Sequence, residues 1–143
     1  MDKTCIFCQI IAGDVPSCAI YEDDEFLAIL DRYPCHAGAF GISGHTLIIP
    51  KAHIENIYEL DPQMGGRLFE LAVPLAGAIQ KVCQADGMNI LQNNGSVAGQ
   101  SVFHFHMHII PRYAGDRVNI RWESTEPPIS ELESLARKIA LNL

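Results

Sequence analysis

The 143-residue chain is 48% apolar and 19% charged, with a formal charge of −7 when its histidines are neutral. That length suits one domain with its own core, and no apolar run is long enough to span a bilayer. The excess of acid over base argues against binding to a nucleic-acid polymer, which needs clustered Lys and Arg, but leaves room for a small anion held by local dipoles. Five cysteines, an odd number, without a signal-peptide core, do not read as a disulfide framework. The expectation is a soluble, cytoplasmic protein with no membrane partner.

In chain order, Cys5-Ile-Phe-Cys8 is half of a zinc site, a redox pair, or two small buried hydrophobes. No strand precedes it, which disfavours a thioredoxin-like motif, and no second CxxC exists, so histidines must complete any metal site. Ile10-Ile11 closes a short helical turn. Cys18–Glu22 and Glu25–Leu30 read as two strands joined at Asp23-Asp24, with Asp31 ending the second. Residues 32–44 hold three glycines and a proline and read as a loop without period, whose Phe40 and Ile42 either cover a pocket or pack on the surface. His45–Pro50 is a strand, and its adjacent Leu47, Ile48 and Ile49 imply burial on both faces. Lys51-Ala-His53 follows at the strand exit.

Asp61-Pro62 opens a helix, with Asp61 as N-cap and Pro62 in the first turn. Met64, Leu68, Leu71, Leu75, Ile79 and Val82 form its apolar stripe, and Pro74 predicts a bend. Met88–Asn93 is the next strand, followed by the turn dipeptide Asn94-Gly95. After a tail containing Trp122 and Pro127-Pro128, Ser130 caps a last helix with Leu132, Leu135 and Ile139 as its apolar positions.

The most informative stretch is Gly99-Gln-Ser-Val-Phe-His-Phe-His-Met-His-Ile-Ile110, with His104, His106 and His108 in strict alternation. Alternation argues a β-strand, on which residues two apart share a face at steps of about 7 Å. The histidines then line one face, while Phe105, Met107 and Ile109 enter a core. Such a row beside a Gly-Gln-Ser turn suits an anion, a metal, or both, since His-x-His on a strand can also supply two zinc ligands.

This stretch resembles the signature of the histidine triad (HIT) family, His-φ-His-φ-His-φ-φ. The likeness extends over nearly the whole chain, through the CxxC start, the Tyr-Glu-Asp hairpin, His45–His53 and Asn93-Asn94-Gly95. It is strongest to the Hint-like branch in its zinc-carrying bacterial form. The resemblance implies an α+β fold, with an antiparallel sheet of about five strands, a long helix and a C-terminal helix, in a single domain over 1–143 whose tail and last helix occupy 118–143. It implies a nucleotide hydrolase acting at the α-phosphate of purine nucleoside 5′-phosphoramidates or dinucleoside polyphosphates.

By the same likeness His106 is the nucleophile that forms a nucleotidyl-histidine, a step that divides one hard displacement into two. His45 and His108 donate to phosphate oxygens or orient His106. Gln100, Ser101 and loop amides hold the phosphoryl oxygens. Asp31 accepts from the ribose and Asn93 contacts the sugar–phosphate side, with Ile10, Phe26 and Leu30 as weaker candidates for the base slot. His108, where a nucleotide-transferring branch carries Gln, favours the hydrolases. Cys5, Cys8, His53 and His104 match the family's zinc ligands, and four protein ligands make such a zinc structural. A homodimer through Met64–Val82 and the strand near Met88 is also implied. The thirteen residues between Asp31 and His45 exceed the family's usual connection, which places an insertion around Cys35 to Ser43, either a lid or a surface excursion. The rival readings are a nucleotide-binding scaffold with little turnover, and a metalloenzyme that uses all three triad histidines.

Overall fold

The computed structural model describes residues 4–35, 44–120 and 123–143. The expected insertion, with Phe40 and Ile42, lies almost wholly outside the described residues, as does Trp122. Five strands form one antiparallel sheet: β1 (Cys18–Glu22), β2 (Phe26–Leu30), β3 (Thr46–Pro50), β4 (Gly87–Leu91) and β5 (Met107–Arg112), in the order β1-β2-β3-β5-β4. Among the described residues three α-helices accompany it: α1 (Ile6–Ile11), α2 (Pro62–Cys83) and α3 (Ile129–Ala140). The fold is the α+β arrangement expected from the sequence.

Each face of the sheet buries its own cluster, because successive side chains on a strand point to opposite faces. Phe26, Ala28, Ile48, Phe105, Met107 and Ile109 pack with Leu68, Ala72 and Ile79 of α2. Leu27, Ile29, Leu47 and Ile49 pack with Cys5, Phe7 and Cys8 of the N-terminal turn. This two-sided burial explains the unbroken Leu47-Ile48-Ile49 run. It also places Phe26 in the α2 core, on the face opposite the histidines, so its assignment to a base slot does not hold.

α2 begins as expected. Asp61 Oδ1 accepts from Gln63 N and Met64 N, both at 3.0 Å, satisfying two of the amides that a helix start leaves unpaired. The helix continues through Pro74 to Cys83. Val82 is 81% exposed, contrary to the expected stripe. The line packed on the core runs through half-buried Leu75, buried Ile79 and half-buried Cys83 in steps of four, and Val82 lies off it. α3 starts at Ile129 after Pro128, with no side-chain cap. Ser130 therefore sits inside the helix, because the fixed φ of Pro128 already ends the extended tail. Leu132, Leu135 and Ile139 remain 46%, 56% and 56% exposed.

The histidine strand is shorter than its alternation implies. β5 begins at Met107, and His104 and His106 lie in its approach. The ladder pairs Ile48 with Met107 and then stops. Pro50 has no N–H to continue it, and the Pro50 carbonyl accepts from His104 Nε2 instead, at 2.8 Å. The Phe105 amide donates to Ile54 O. Alternation survives in this segment through side-chain and loop bonds.

Candidate active site and metal centre

The N-terminal turn delivers the two cysteines. Cys5 is the N-cap of α1, and its Sγ accepts from Cys8 N at 3.5 Å. Opposite them stand His53, just past β3, and His104. Cys5 Sγ lies 3.4 Å from His104 Nδ1, and Cys8 Sγ lies 3.3 Å from His53 Nδ1 and 3.7 Å from His104 Nδ1. Tetrahedral zinc with bonds of about 2.3 Å to sulfur and 2.05 Å to nitrogen sets those atoms about 3.6 Å apart. The four candidate ligand atoms lie within 4.8 Å of one another.

The tautomer of His104 also fits. Its Nε2–H donates to the Pro50 carbonyl, leaving the Nδ1 lone pair on the thiols, the outer-sphere arrangement that metal-bound histidines use. Burial holds the His104 pKa below its ordinary value, which keeps the ring neutral and able to ligate. The four residues therefore form a Cys2His2 set able to hold zinc.

His106 is 6% exposed. Its Nδ1–H donates to the His104 carbonyl at 2.8 Å, so Nε2 carries the lone pair. Burial lowers its pKa, against the opposing pull of that hydrogen bond. The arrangement yields a neutral imidazole with a fixed nucleophilic nitrogen. Phe7 of α1 packs edge-on against both rings, with centroids 5.8 Å from His104 and 5.0 Å from His106. The metal turn and the candidate nucleophile thus share one aromatic contact. Phe7 reads in the sequence merely as a spacer of the CxxC.

His108 stands beside His106, ring centroids 4.8 Å apart. Its Nδ1 is 2.9 Å from His45 Nε2. Burial, then the neighbouring His106 and His45, lower the His108 pKa to about 4. Burial likewise lowers that of His45, against the pull of Asp31. Asp31 Oδ2 lies 3.5 Å from His45 Nδ1, so the structure brings Asp31, His45, His106 and His108 together.

Gln100 has a different position from the one its likeness implies. It is 3% exposed. Its Oε1 accepts from Gly95 N at 2.8 Å, and its Nε2 donates to Glu55 O at 2.7 Å and Val102 O at 3.1 Å. Both ends of the amide are committed to backbone, bracing the loop that leads to the histidines. Asn93 Nδ2 donates to Gly99 O in the same loop, at 3.4 Å. Ser101 is exposed and lines an open cavity of about 460 Å³ with Thr4, Cys5, His53, Glu55 and Phe103. That hollow adjoins the metal turn and includes neither His106 nor His108. No helix among the described residues is long and apolar enough to cross a membrane.

A HIT domain model matches residues 12–115. Protein hit of Bacillus subtilis is 44% identical over 144 residues, covering 99% of this chain and 95% of that protein. The adenylylsulfatase HINT3 of Arabidopsis thaliana is 40% identical over 116 residues, covering 81% of this chain and 56% of that one. A zinc-bound histidine triad family protein from Mycobacterium smegmatis, whose crystal structure is known, superposes with a TM-score of 0.72 at 38% identity, over 94% of this chain and 91% of the other. With its triad, its fold and these relatives, the chain belongs to the HIT domain family.

Proposed function

We propose that the protein is a nucleotide hydrolase that cleaves the α-phosphate linkage of purine nucleoside 5′-phosphoramidates or dinucleoside polyphosphates and releases a nucleoside monophosphate. The observation that carries this reading is the His106 Nδ1–H bond to the His104 carbonyl. It leaves Nε2 bare and orients the ring, while burial keeps the imidazole neutral, the state a nucleophile toward phosphorus requires. Nε2 bonds to the α-phosphorus as the leaving group departs, and water then breaks the P–N bond. His108, held by His45, supplies an N–H donor at the phosphoryl group, with Ser101 and the amides of its loop. Asn93 contacts the sugar–phosphate side, and Asp31 accepts from the ribose. Gln100 acts by holding the loop in place. The relative named as an adenylylsulfatase fits the same class of bond.

Cys5, Cys8, His53 and His104 would hold zinc, which supplies a structural cross-link between the N-terminal turn and the approach to β5. His106 is absent from the metal-capable clusters among the described residues, which speaks against a metalloenzyme that uses all three triad histidines. We take 1–143 as one domain with a tail and helix over 118–143. A two-fold homodimer would pair the edge strand β4 and the exposed Phe69 and Val73 of α2.

The test is intact-protein mass spectrometry after brief mixing with adenosine 5′-phosphoramidate, under conditions that preserve phosphohistidine. A wild-type adduct of one AMP, absent from His106→Ala, is expected. With no adduct, AMP release that is lost in the variant indicates a short-lived intermediate. Nucleotide binding with no release would replace the hydrolase reading with that of a binding protein.

A further inference from the structure

We propose that Asp31, His45 and His108 form one proton relay beside His106, in which Asp31 acts through His45 as well as on the ribose. The proposal rests on the hydrolase reading above. His45 is 4% exposed, and among the described residues its Nδ1 faces partners of opposite kind. The backbone N–H of Cys35 lies at 3.1 Å, and Oδ2 of Asp31 at 3.5 Å. A bare nitrogen accepts from the amide, whereas a protonated one donates to the carboxylate. The other oxygen of Asp31 accepts Tyr33 N–H at 2.9 Å, which fixes the carboxylate in this position. On the far side of the ring, His45 Nε2 meets His108 Nδ1 at 2.9 Å.

Two proton inventories follow. With His45 Nδ1 bare, Nε2–H donates to His108 Nδ1, and His108 carries its own proton on Nε2. One further proton places N–H on both nitrogens of His45, and the resulting cation rests against Asp31. Formation of the His106 Nε2–P bond then breaks the bond from phosphorus to the leaving amine. His108 Nε2–H passes to that amine while His45 Nε2–H shifts to His108 Nδ1. The relay is now neutral, still anchored by His45 Nδ1–H on Asp31, and His108 Nε2 is bare. In the second step water oxygen bonds to phosphorus, the P–Nε2 bond to His106 breaks, and the water proton goes to His108 Nε2. The proton between the rings returns to His45, and the cycle closes.

The field of Asp31 favours the protonated form of both His45 and His108, opposing their burial. Among the described residues, His106 also faces the pair, and Cys35 adjoins it through its backbone N–H. Beyond Cys35, Arg112 and Asp116 are paired with each other at 2.7 Å.

The experiment compares zinc-loaded wild type, Asp31→Asn and Asp31→Glu on adenosine 5′-phosphoramidate and its 2′,3′-dideoxy analogue. Asp31→Asn is expected to lower kcat about a hundredfold on both substrates, because the relay does not use the ribose, and Asp31→Glu recovers part of that loss. A loss confined to the ribose-bearing substrate, or confined to KM, would overturn the relay. Nitrogen-15 spectra of the His45 and His108 rings give a second readout that needs no turnover. The pair is expected to take up its proton at higher pH in wild type than in Asp31→Asn, and superimposable titrations would refute the proposal. Wild type that turns over neither of these, nor diadenosine tetraphosphate, refutes the hydrolase reading, and the ring titrations then decide the relay separately.

Discussion

Replacing Gln100 separates a loop brace from a phosphate contact. Its side chain satisfies one backbone N–H and two carbonyls, at Gly95, Glu55 and Val102, from a position that is 3% exposed. Gln100→Ala leaves all three without that partner. At about 1 kcal/mol net per hydrogen bond, the loss is about 3 kcal/mol, or about 2 if water enters to bridge one of them. For a chain of this length that corresponds to a fall in Tm of roughly 5–12 °C. Gln100→Glu should be worse near neutral pH. It keeps the acceptor for Gly95 N–H but turns a carboxylate toward two carbonyl oxygens in a buried place. Protonation restores a donor, so its deficit should shrink as pH falls toward 5. The assay is urea unfolding of both variants with zinc held constant, alongside the Kd for AMP. Gln100→Ala within 0.5 kcal/mol of wild type, with AMP binding strongly weakened, would refute the brace and return Gln100 to the phosphate.

Gly44 has φ of +70°, and a Cβ there would collide with Cys83 Sγ. Gly44→Ala should cost about 2 kcal/mol or more in urea unfolding, since the left-handed backbone alone costs roughly 1–2 kcal/mol for a residue with a Cβ, and a neutral result would mean the 44–45 segment can relax. Asp61→Ala should cost about 1 kcal/mol through the lost cap of α2 and leave kcat unchanged; a fall in kcat would connect α2 to the site. Cys8→Ala should abolish stoichiometric zinc measured by plasma mass spectrometry, while retained stoichiometric metal would dissolve the ligand assignment. His108 titrates at about 4 in the folded chain, against about 6.5 unfolded. Between those values the unfolded state binds a proton that the folded state refuses, so stability is full above about 6.5 and falls as pH drops toward 4. His108→Asn should flatten that slope in urea titrations at pH 4–7, and an unchanged slope would mean that His108 is not the group responsible.

Much of the molecule is legible in its sequence because it rests on local chemistry. Asp61-Pro62 announces the start of α2, as the cap bonds bear out. The parity of Phe105, Met107 and Ile109 places them in the core, because strand geometry admits only two faces. The triad could be read without a fold, since three histidines at intervals of two must share a side. The cysteines of one turn could be recognised as half of a ligand set, though their partners came only by family likeness.

What tertiary structure alone decided concerns partners distant in sequence. The end of the histidine strand depends on Pro50, 54 residues from the ring its carbonyl holds. Gln100 resembles a ligand contact until Glu55 O and Gly95 N are seen on either side of its amide. Phe7 becomes the contact between the rings of His104 and His106 only when α1 folds onto the β2–β3 face. Asp31 meets His45 across a long loop. The physical reason is common to all four. Periodicity and capping act over a few residues, whereas the state of a buried imidazole or amide is set by whichever groups the packed chain brings within about 3 Å.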